Sequence, residues 1–530
     1  MLKKKLAGAL LMIMGGAAAP WCMAATKVDI RAAPMGRVAS SALAGRLSLG
    51  AGSAFVAEHE IRTAHGTVKT REQQTFKGVP VYGRSLVVER NAGGAVLSAE
   101  GAAERDIGMQ LMSVLPRLSA AQAPTTLQTR MGHAGLAVTN ATSKLFVYPQ
   151  SQGAAPKLVY QTSYVVTVHG HPSRPTAIID ANTGALIKQW EGLTDGRRPP
   201  APAPTSVLAT GPGGNELTGL YHYDNSGPGL ELLGAQRVGN VCYLQNDDVA
   251  TYNLAGGQRV ALWSFGCAGT DPAAWDSFGD AINGAYSPIN DAHHFGGVVY
   301  DMYNTWFGKP PLQNGDGSPM KLSMWVHYGT NYENAFWDGG EMVFGDGDQY
   351  FYPFVVLDIT GHEISHGFTE QHSGLQYDGQ SGGMNEAFSD MAGEAVKFFD
   401  RGGNDFMVGA DIVKPDTVPL LGMSALRDMC TPSNDGASID NAADYRDGID
   451  VHYSSGVYNR AFCSLAKTSG WNTRKAFEVF HDANALYWQP AETFDGGACG
   501  VEQSALDRSY SEADVAAAFA VVGVTCRTPL

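Results

Sequence analysis

The chain has 530 residues, of which 44% are hydrophobic and 17% are charged, and its formal net charge is −15 at pH 7. This length exceeds what a single hydrophobic core supports, so several domains are expected. The negative charge is not offset by any basic tract. It argues against nucleic acid and an anionic membrane surface as partners, because binding to phosphate needs clustered Lys and Arg.

Residues 1–25 have the pattern of a secretory signal peptide. Lysines at positions 3–5 precede an apolar run from Leu6 to Met14, and small residues follow at Ala24 and Ala25, near a plausible cleavage point. No other apolar stretch approaches the roughly 20 residues that span a bilayer. We therefore expect a secreted, soluble protein without a membrane partner.

The remainder of the chain divides by composition. Residues 26–195 are rich in strand patterns, and residues 196–210, "GRRPPAPAPTSVLAT", hold four prolines that predict an exposed, protease-accessible linker. Strand and turn signals dominate from residue 211 to about 354, and the pattern becomes helical beyond Val355. A β-rich lobe followed by a helical lobe predicts a cleft between the two.

The stretch "HEISHGFTEQH" at residues 362–372 has the spacing of a zinc site. His362 and His366 are four residues apart, so on a helix both imidazoles face one ion. Glu363 lies beside them. The third histidine of the stretch, His372, is an alternative ligand, and it would make the chain a metzincin-like peptidase.

His372 could reach the ion only if the helix broke soon after the second histidine, which needs a glycine three residues on. That position is Thr369. The first helix stop is Gly374, a good C-terminal cap. If the helix runs to Ser373, His372 faces away from the ion, and we expect it at the surface or against the second lobe.

Glu386, in "NEAFSD", is the better third ligand. It lies in a predicted helix twenty residues after His366. Asp390 follows one turn later on the same face, where it can accept the spare N–H of a ligating imidazole. Two histidines and one glutamate leave a tetrahedral Zn²⁺ one open position for water.

Four segments extend this pattern over the C-terminal three-fifths of the chain: "NAFWDGGEMVFGDGD", "HEISHGFTEQHSGLQYDGQSGGMNEAFSDMAGEA", "IDVHYSSGVYNRAF" and "WNTRKAFEVFHDAN". With them the chain resembles the thermolysin family, most closely its pseudolysin and vibriolysin branch of secreted bacterial metallopeptidases. The resemblance runs from about Gly211 to Cys526. The region before the linker resembles the export propeptide of that family.

The resemblance implies an α+β fold with a two-lobed catalytic domain and zinc in the cleft, preceded by a β-rich α+β propeptide. Its parts are a fungalysin/thermolysin-type propeptide at 26–110, a PepSY-like segment at 115–195, a β-rich lobe with the zinc helix at 211–375 and a helical lobe at 376–530. The implied activity is zinc-dependent endopeptidase, made as a zymogen whose propeptide is both folding aid and inhibitor. A monomer is expected.

The resemblance also assigns roles in catalysis. Glu363 is the expected general base, and Tyr377 and His452 are the expected donors to the oxyanion of the intermediate. Asp450 or Asp447 would orient His452, and we expect Asp450 to do so.

Substrate contacts follow from the same resemblance. Asn334 and Ala335 would pair with the peptide backbone along an edge strand, and Arg427 would bind the carbonyl after the scissile bond. The pocket for the next side chain is apolar throughout, which predicts cleavage on the N-terminal side of bulky hydrophobic residues. Its residues are Phe351, Phe354, Ile359, Val408, Ile412 and Leu426.

A calcium site is implied through Asp358, Glu394, Asp405 and the carbonyl of Met407. The sequence departs from the family at Lys397, where another carboxylate is expected. An ammonium group cannot bind calcium, so either the ion binds with fewer oxygens or the lysine replaces part of its charge.

Six of the seven cysteines follow the signal peptide, and an oxidising compartment suits three disulfides. The resemblance implies the pairs Cys242–Cys267 and Cys499–Cys526. Cys430 and Cys463 remain, either as a third disulfide or as two buried thiols. A different class of function, a secreted binding protein that has lost turnover, is disfavoured because Glu363, Tyr377 and His452 are all present.

Overall fold

The computed structural model describes residues 25–32, 35–150, 154–168, 171–192, 205–256, 260–269 and 275–527. The predicted signal peptide up to residue 24 and most of the predicted linker lie outside these ranges. Among the described helices, none is both long enough and apolar enough to cross a membrane.

The region before the linker, hereafter the prosegment, is built on one eleven-stranded sheet with the order β1-β6-β5-β7-β8-β10-β11 along its main path. Two short helices, α1 (Ser40–Arg46) and α2 (Gln122–Arg130), pack on it. Its strands are β1 (Thr26–Ala32), β2 (Gly36–Arg37), β3 (Ser53–Arg62), β4 (Val68–Phe76), β5 (Val79–Arg90), β6 (Ala95–Arg105), β7 (Val138–Tyr148), β8 (Lys157–Val168), β9 (His171–Ser173), β10 (Pro175–Asp180) and β11 (Leu186–Glu191).

The prosegment has two separate hydrophobic cores. One lies under β1 and β3 to β6 and includes Phe55 and Leu86. The other lies under β7, β8 and β10 and includes Tyr164 and Ile179. The two halves of the sheet meet where β5 pairs in parallel with β7 at Val81 and Val147. The second core also takes in Phe76, Val81 and Ile107, so the two cores do not divide at the boundary between the segments predicted at 26–110 and 115–195.

The next region holds two five-stranded sheets flanking the long helix α3 (Pro288–Phe307). The first has the order β19-β16-β15-β12-β20 and the second the order β18-β17-β21-β23-β22, so β22 is an edge strand. The strands are β12 (Thr205–Thr210), β13 (Pro212–Gly213), β14 (Tyr221–His222), β15 (Leu233–Val238), β16 (Val241–Tyr243), β17 (Val249–Asn253), β18 (Ala261–Leu262), β19 (Ser264–Gly266), β20 (Trp275–Asp276), β21 (Leu322–Tyr328), β22 (Ala335–Trp337) and β23 (Glu341–Gly345).

The predicted linker is too long at its C-terminal end. Residues 205–210 form β12, which pairs antiparallel with β15 and in parallel with β20. The prolines that predicted an extended linker stop at Pro204, and the segment after them, "TSVLAT", can donate every backbone N–H to a sheet. Thr205–Thr210 therefore belongs to the catalytic region.

The last region is helical. It begins with α4 (Leu357–Gln371) and α5 (Gly379–Arg401), and one continuous hydrophobic core joins it to the β-rich lobe. Its other elements are β24 (Met407–Val408), α6 (Val418–Leu421), β25 (Arg427–Asp428), α7 (Val451–Ser454), α8 (Gly456–Ala466), α9 (Thr473–Asp482) with its π-helical extension Ala483–Tyr487, α10 (Phe494–Asp507) and α11 (Glu512–Val521). This region also has 3-10 turns at Ala410–Ile412, Pro432–Asp435 and Ala442–Asp444, and the prosegment has one at Ile107–Met109.

Glycines let α4 and α5 approach closely. A Cβ on Gly361 of α4 would lie 3.1 Å from the Cα of Gly393 on α5, and a Cβ on Gly393 would lie 2.5 Å from the carbonyl oxygen of Asp358. On the opposite side of α4, a Cβ on Gly367 would lie 2.7 Å from the ring of Trp337 in β22. The helix is thus held between α5 and the edge strand.

The six cysteines after the signal peptide form three disulfides, Cys242–Cys267, Cys430–Cys463 and Cys499–Cys526. The extra pair, Cys430 and Cys463, joins the segment after β25 to helix α8. It therefore connects the segment that follows Arg427 to the helix that follows His452.

His327, near the end of β21, bridges two buried carboxylates. Its Nε2 lies 2.7 Å from Asp280 and its Nδ1 lies 2.7 Å from Asp346, and its backbone has a φ of 64°, a conformation that needs support from its surroundings. Burial alone lowers the pKa of an imidazole, but here the two carboxylates outweigh burial and raise the pKa of His327 to about 9.

Because the pKa of His327 is higher in the folded state, its contacts with the two carboxylates contribute their full stability below about pH 6.5, the pKa of an unfolded histidine. This contribution is lost as the pH rises through about 9. We expect His327→Gln to lower the free energy of unfolding by about 3 kcal/mol at pH 6 and to flatten its decline between pH 6.5 and pH 9. Thermal unfolding of both chains over this pH range measures the difference.

The matched control is His222→Gln, which removes an exposed imidazole. Parallel curves of melting temperature against pH for the wild type and His327→Gln would show that the His327 bridge carries no proton linkage.

Candidate active site

Helix α4 brings the two histidines of the HExxH stretch together. The Nε2 atoms of His362 and His366 lie 3.0 Å apart, with the ring planes at 87°. Both side chains are mostly buried. Two imidazole nitrogens aimed at one point are the arrangement that a shared metal ion requires.

Glu386 of α5 completes the group. Its Oε1 lies 3.3 Å from Nε2 of His366, and its Oε2 lies 3.5 Å from Nε2 of His362. Ligand atoms of all three residues lie within 4.8 Å of one another. The buried Oε2 has no hydrogen-bond partner. Burial by itself raises a carboxyl pKa, but the imidazoles of His452, His362 and His366 hold the pKa of Glu386 well below its usual range, so it is an ionised ligand. This donor set fits Zn²⁺.

The far side of His362 is fixed by Asp390, one turn after Glu386. Oδ1 of Asp390 accepts from Nδ1 of His362 at 2.9 Å, and Arg427 binds the same carboxylate with two bonds of 2.7 and 2.6 Å. Asn459 also donates to it. Burial opposes the charge on Asp390, but Arg427 and His362 outweigh it and lower its pKa. With Nδ1 donating, Nε2 of His362 presents its lone pair to the ion.

The hydrogen-bond partners of the second histidine, His366, were not predicted from the sequence. Nδ1 of His366 lies 2.8 Å from Oδ1 of Asn385 and 3.1 Å from Oγ of Ser389. Both residues are in "NEAFSD", the motif that supplies Glu386 and Asp390. Asn385 and Ser389 are four residues apart, so helix α5 presents them on one face, next to Glu386. That spacing could have identified them as the pair that holds the ring of His366.

The predicted base and oxyanion donors surround the same point. Glu363 is buried and lines the cleft, and burial raises its pKa above the usual range. The hydroxyl of Tyr377 donates to Glu386 and lies 3.3 Å from Nε2 of His452. Nδ1 of His452 lies 2.7 Å from Oδ1 of Asp450. Of the two alternatives, Asp450 and Asp447, the contact is made by Asp450. Burial and Glu386 raise the pKa of Tyr377 well above its ordinary value, so it stays a donor.

A cavity of about 780 Å³ extends along these residues. Asn334 and Ala335, at the start of edge strand β22, line one wall. Five of the six predicted pocket residues line the cavity, namely Phe351, Phe354, Ile359, Val408 and Leu426. Ile412 is fully buried and is not a lining residue, because it lies in a 3-10 turn within the core. The resemblance implied that Ile412 lines the pocket, and the cavity does not reach it.

The prosegment covers the cleft. Tyr82, Arg174 and Trp190 line the same cavity. The hydroxyl of Tyr82 accepts from Gln376 at 2.7 Å, directly before Tyr377. Gly192, the last described residue before the linker, is also at the cavity. The prosegment therefore blocks a substantial part of the length of the cleft.

His372 is remote from the metal group. Helix α4 ends at Gln371, and Gly374 has the expected left-handed conformation with a φ of 63°. The ring of His372 stacks on Phe368 at 3.9 Å and lies 4.4 Å from the ring of His59 in the prosegment. As expected, His372 is not a member of the metal group. Its contact with the prosegment was not predicted, because sequence patterning does not reveal which distant segments meet.

Lys397 occupies the predicted calcium site. Its Nζ lies 2.8 Å from Glu394, 3.5 Å from Asp358 and 3.3 Å from the carbonyl of Met407, and it also binds Asp405. Burial opposes the charge of the ammonium group, but Asp358 and Glu394 outweigh it and raise the pKa of Lys397. All four predicted ligands are bound to one cation of the chain itself, so this donor set does not fit calcium.

Comparisons with known proteins agree with this geometry. The chain matches models described as thermolysin metallopeptidase, catalytic domain, over residues 218–370, thermolysin metallopeptidase, alpha-helical domain, over 373–524, and fungalysin/thermolysin propeptide motif over 53–103.

Three relatives extend these matches over most of the chain. The hemagglutinin/proteinase of Vibrio cholerae is 45% identical over 89% of this chain and 74% of its own length. The zinc metalloproteinase MspA of Legionella longbeachae is 40% identical over 89% of this chain and 88% of its own length. A thermolysin of Alicyclobacillus acidocaldarius is 29% identical over 87% of this chain and 84% of its own length.

These matches confirm the predicted family, the α+β fold with its propeptide and the metallopeptidase activity. The chain belongs to the thermolysin family of zinc metallopeptidases and carries the propeptide of that family.

Proposed function

We propose that the processed enzyme is a secreted, monomeric endopeptidase that cleaves on the N-terminal side of bulky hydrophobic residues, with Glu363 as general base. The observation that carries the proposal is the convergence of Glu363, Tyr377 and His452 on the group formed by His362, His366 and Glu386. Processing in the linker would release the prosegment from the cleft and expose it to protein substrates.

Glu363 is the residue placed to move the proton. When bound, Zn²⁺ supplies Lewis acidity toward a water molecule and the substrate carbonyl. Glu363 is buried beside the ligands without being part of their group, and its raised pKa brings it closer to the working pH, where a carboxylate both accepts and returns a proton. It takes the proton of the attacking water and delivers it to the leaving amine.

Tyr377 and His452 act on the opposite side of the scissile carbonyl. Each presents a donor near Glu386, and Asp450 orients the ring of His452 through Nδ1. Donors held in place before the reaction stabilise the developing oxyanion without having to reorganise.

Substrate orientation follows from β22 and Arg427. An extended peptide adds to the exposed edge of β22 at Asn334 and Ala335. Arg427 lies at the cavity, held by Asp390, and offers its remaining N–H groups to the carbonyl after the scissile bond. The next side chain then enters the pocket of Phe351, Phe354, Ile359, Val408 and Leu426.

The general-base role predicts a loss of turnover without a loss of metal. We expect Glu363→Gln to lower kcat for casein hydrolysis by roughly 10³-fold and to leave the linker uncut, while the zinc content of the purified chain stays near that of the wild type. Glu512→Gln, at an exposed carboxylate at the start of α11 and outside the cavity, is the control and keeps its activity. Near-normal hydrolysis by a zinc-loaded Glu363→Gln enzyme would contradict the mechanism.

The apolar pocket predicts the order of substrates. Peptides with Phe or Leu after the scissile bond should be cleaved with a kcat/KM roughly 100-fold above those with Asp, because burying a large apolar side chain contributes about 2–3 kcal/mol. A fluorogenic peptide series differing only at that residue measures this. Equal rates for Leu and Asp would mean that this pocket does not select the substrate.

We also propose that Lys397 takes the place of calcium. The site joins α4, α5 and the segment around β24, and one buried ammonium group neutralises part of the charge that a calcium ion would otherwise balance. Lys397 thus lies between Asp358 and Glu394 and offsets the repulsion between the two carboxylates without a calcium ion.

A charge reversal at this position should create calcium dependence. We expect the melting temperature of the wild type to be the same with and without free calcium at constant zinc. Lys397→Glu should be less stable by about 3 kcal/mol without calcium and should regain stability as calcium is added. A calcium-dependent melting temperature in the wild type would overturn the proposal, and calorimetric titration with calcium provides a second readout.

A further inference from the structure

The strongest contacts between the prosegment and the catalytic region lie on the helical lobe, beyond the cleft. Strand β4 presents Lys69 and Arg71 on one face, because residues two apart in a strand point the same way. Both side chains are buried, with 7% and 4% of their surface exposed. A buried cation requires partners that replace its hydration.

Their hydrogen-bond partners belong to the helical lobe, and Glu58 of the prosegment lies 3.9 Å from Nε of Arg71. Nζ of Lys69 lies 2.7 Å from Oδ1 of Asp507 and 3.0 Å from the hydroxyl of Tyr487. Nη1 of Arg71 donates to the carbonyl of Trp488 at 2.9 Å and to that of Leu486 at 3.4 Å.

The same patch receives further donors from the prosegment. The side chain of Gln489 accepts from Nη2 of Arg71 at 3.5 Å. In the turn after β3, the backbone N–H of Ala64 donates to the carbonyl of Asp507 at 2.9 Å. We call the acceptor group, formed by the carbonyls of Leu486 and Trp488, the hydroxyl of Tyr487, the side chain of Gln489 and the carboxylate of Asp507, the cation site.

Two helix ends make this site negative. The π-helical extension of α9 ends at Tyr487, and α10 ends at Asp507. The last carbonyls of a helix have no partner within it, and the aligned peptide dipoles place partial negative charge there. Asp507 adds a full charge. The affinity for cations is therefore a property of the catalytic region and persists after the prosegment leaves.

Other ion pairs between the prosegment and the catalytic region have the same arrangement of charge, with the cation on the prosegment. In the described parts of the chain, ion pairs join prosegment cations to catalytic-region carboxylates: Lys69 to Asp507, Arg174 to Glu370 and Lys188 to Asp378. Burial lowers the pKa of Arg71, while Glu58 and Glu492 raise it, and a guanidinium stays charged in proteins.

The cation site is continuous with the cleft. Gln489 and Pro490 line the same cavity as His362 and Glu363, and the carbonyl of Pro490 accepts from the backbone N–H of Gln376 at 2.7 Å, one residue before Tyr377. Gln489 is thus the member of the cation site that lines the cavity, and Arg71 lines it as well. A polypeptide that runs out of the cleft therefore reaches the edge of the site at Gln489.

We infer that, in the processed enzyme, the cation site binds an extended segment of a polypeptide substrate that carries Lys or Arg at two alternate positions. The inference rests on the proposed peptidase function. It adds a second determinant of substrate choice beside the apolar pocket, which acts on residues distant from the scissile bond.

Cleavage-site profiling tests the inference. An unfolded protein mixture is digested with processed wild type, Asp507→Asn, Tyr487→Phe and Glu502→Gln, and the fragments are identified by mass spectrometry. Glu502 lies on the same helix, α10, and is the matched control. In the wild type and Glu502→Gln, Lys or Arg at two alternate positions should be enriched about threefold at one fixed distance from the cut bond.

The enrichment should disappear in Asp507→Asn, weaken in Tyr487→Phe and fall at about 1 M salt, which screens charge. Tyr487→Phe preserves all charges and serves if Asp507→Asn does not fold. No enrichment in the wild type, an enrichment that persists in both variants, or a prosegment still bound to the processed enzyme would overturn the inference.

The same digest keeps the two proposals separate. The preference for bulky hydrophobic residues after the cut bond should be equal in all four enzymes. Its absence would count against the proposed function, whereas loss of the basic enrichment alone counts only against the cation site.

Discussion

Helices α4 and α5 approach so closely that no side chain fits between parts of their backbones, and the active site depends on that distance. Gly361 and Gly393 make the approach possible. It places Glu386 of one helix within 3.5 Å of both histidines of the other. A larger residue at either glycine would push the helices apart, and a metal ion tolerates displacements of only a few tenths of an ångström in its ligands.

The same contact sets the electrostatics of the cleft. Asp390 is carried on α5 behind His362 and is held ionised by Arg427. Such a pair is costly to bury, and it is stabilising only when every remaining acceptor is satisfied. Asn459 satisfies one of them. Arg427 thus positions His362 through Asp390 and also lines the cavity. In the proposed function, this arrangement would couple substrate binding to the geometry of the metal site.

Cations of the chain itself recur where this acidic protein concentrates negative groups. Lys397 joins Asp358, Glu394 and Asp405 within the helical lobe, and Lys69 and Arg71 join the prosegment to the ends of two helices. In both places an ammonium or guanidinium group replaces water or a metal ion around buried oxygens. The lysine is part of the catalytic region, whereas the proposed processing would remove the prosegment cations, so only the second arrangement would change on maturation.

The sequence by itself predicted the three residues that the structure brings together as a possible metal site, and the exclusion of His372 from that group. Both follow from spacing along a helix and from the absence of a glycine at Thr369. The longer motifs carried the likeness to a family. The sequence also predicted two lobes and a separate prosegment, since strand and helix periodicities change along the chain. The tertiary structure alone decided that Thr205–Thr210 belongs to the catalytic sheet, that Ile412 lies behind the pocket, that Asn385 and Ser389 support His366, and that His372 meets the prosegment. Each of these depends on contacts between residues far apart in sequence, and local patterns carry no information about which distant surfaces will meet.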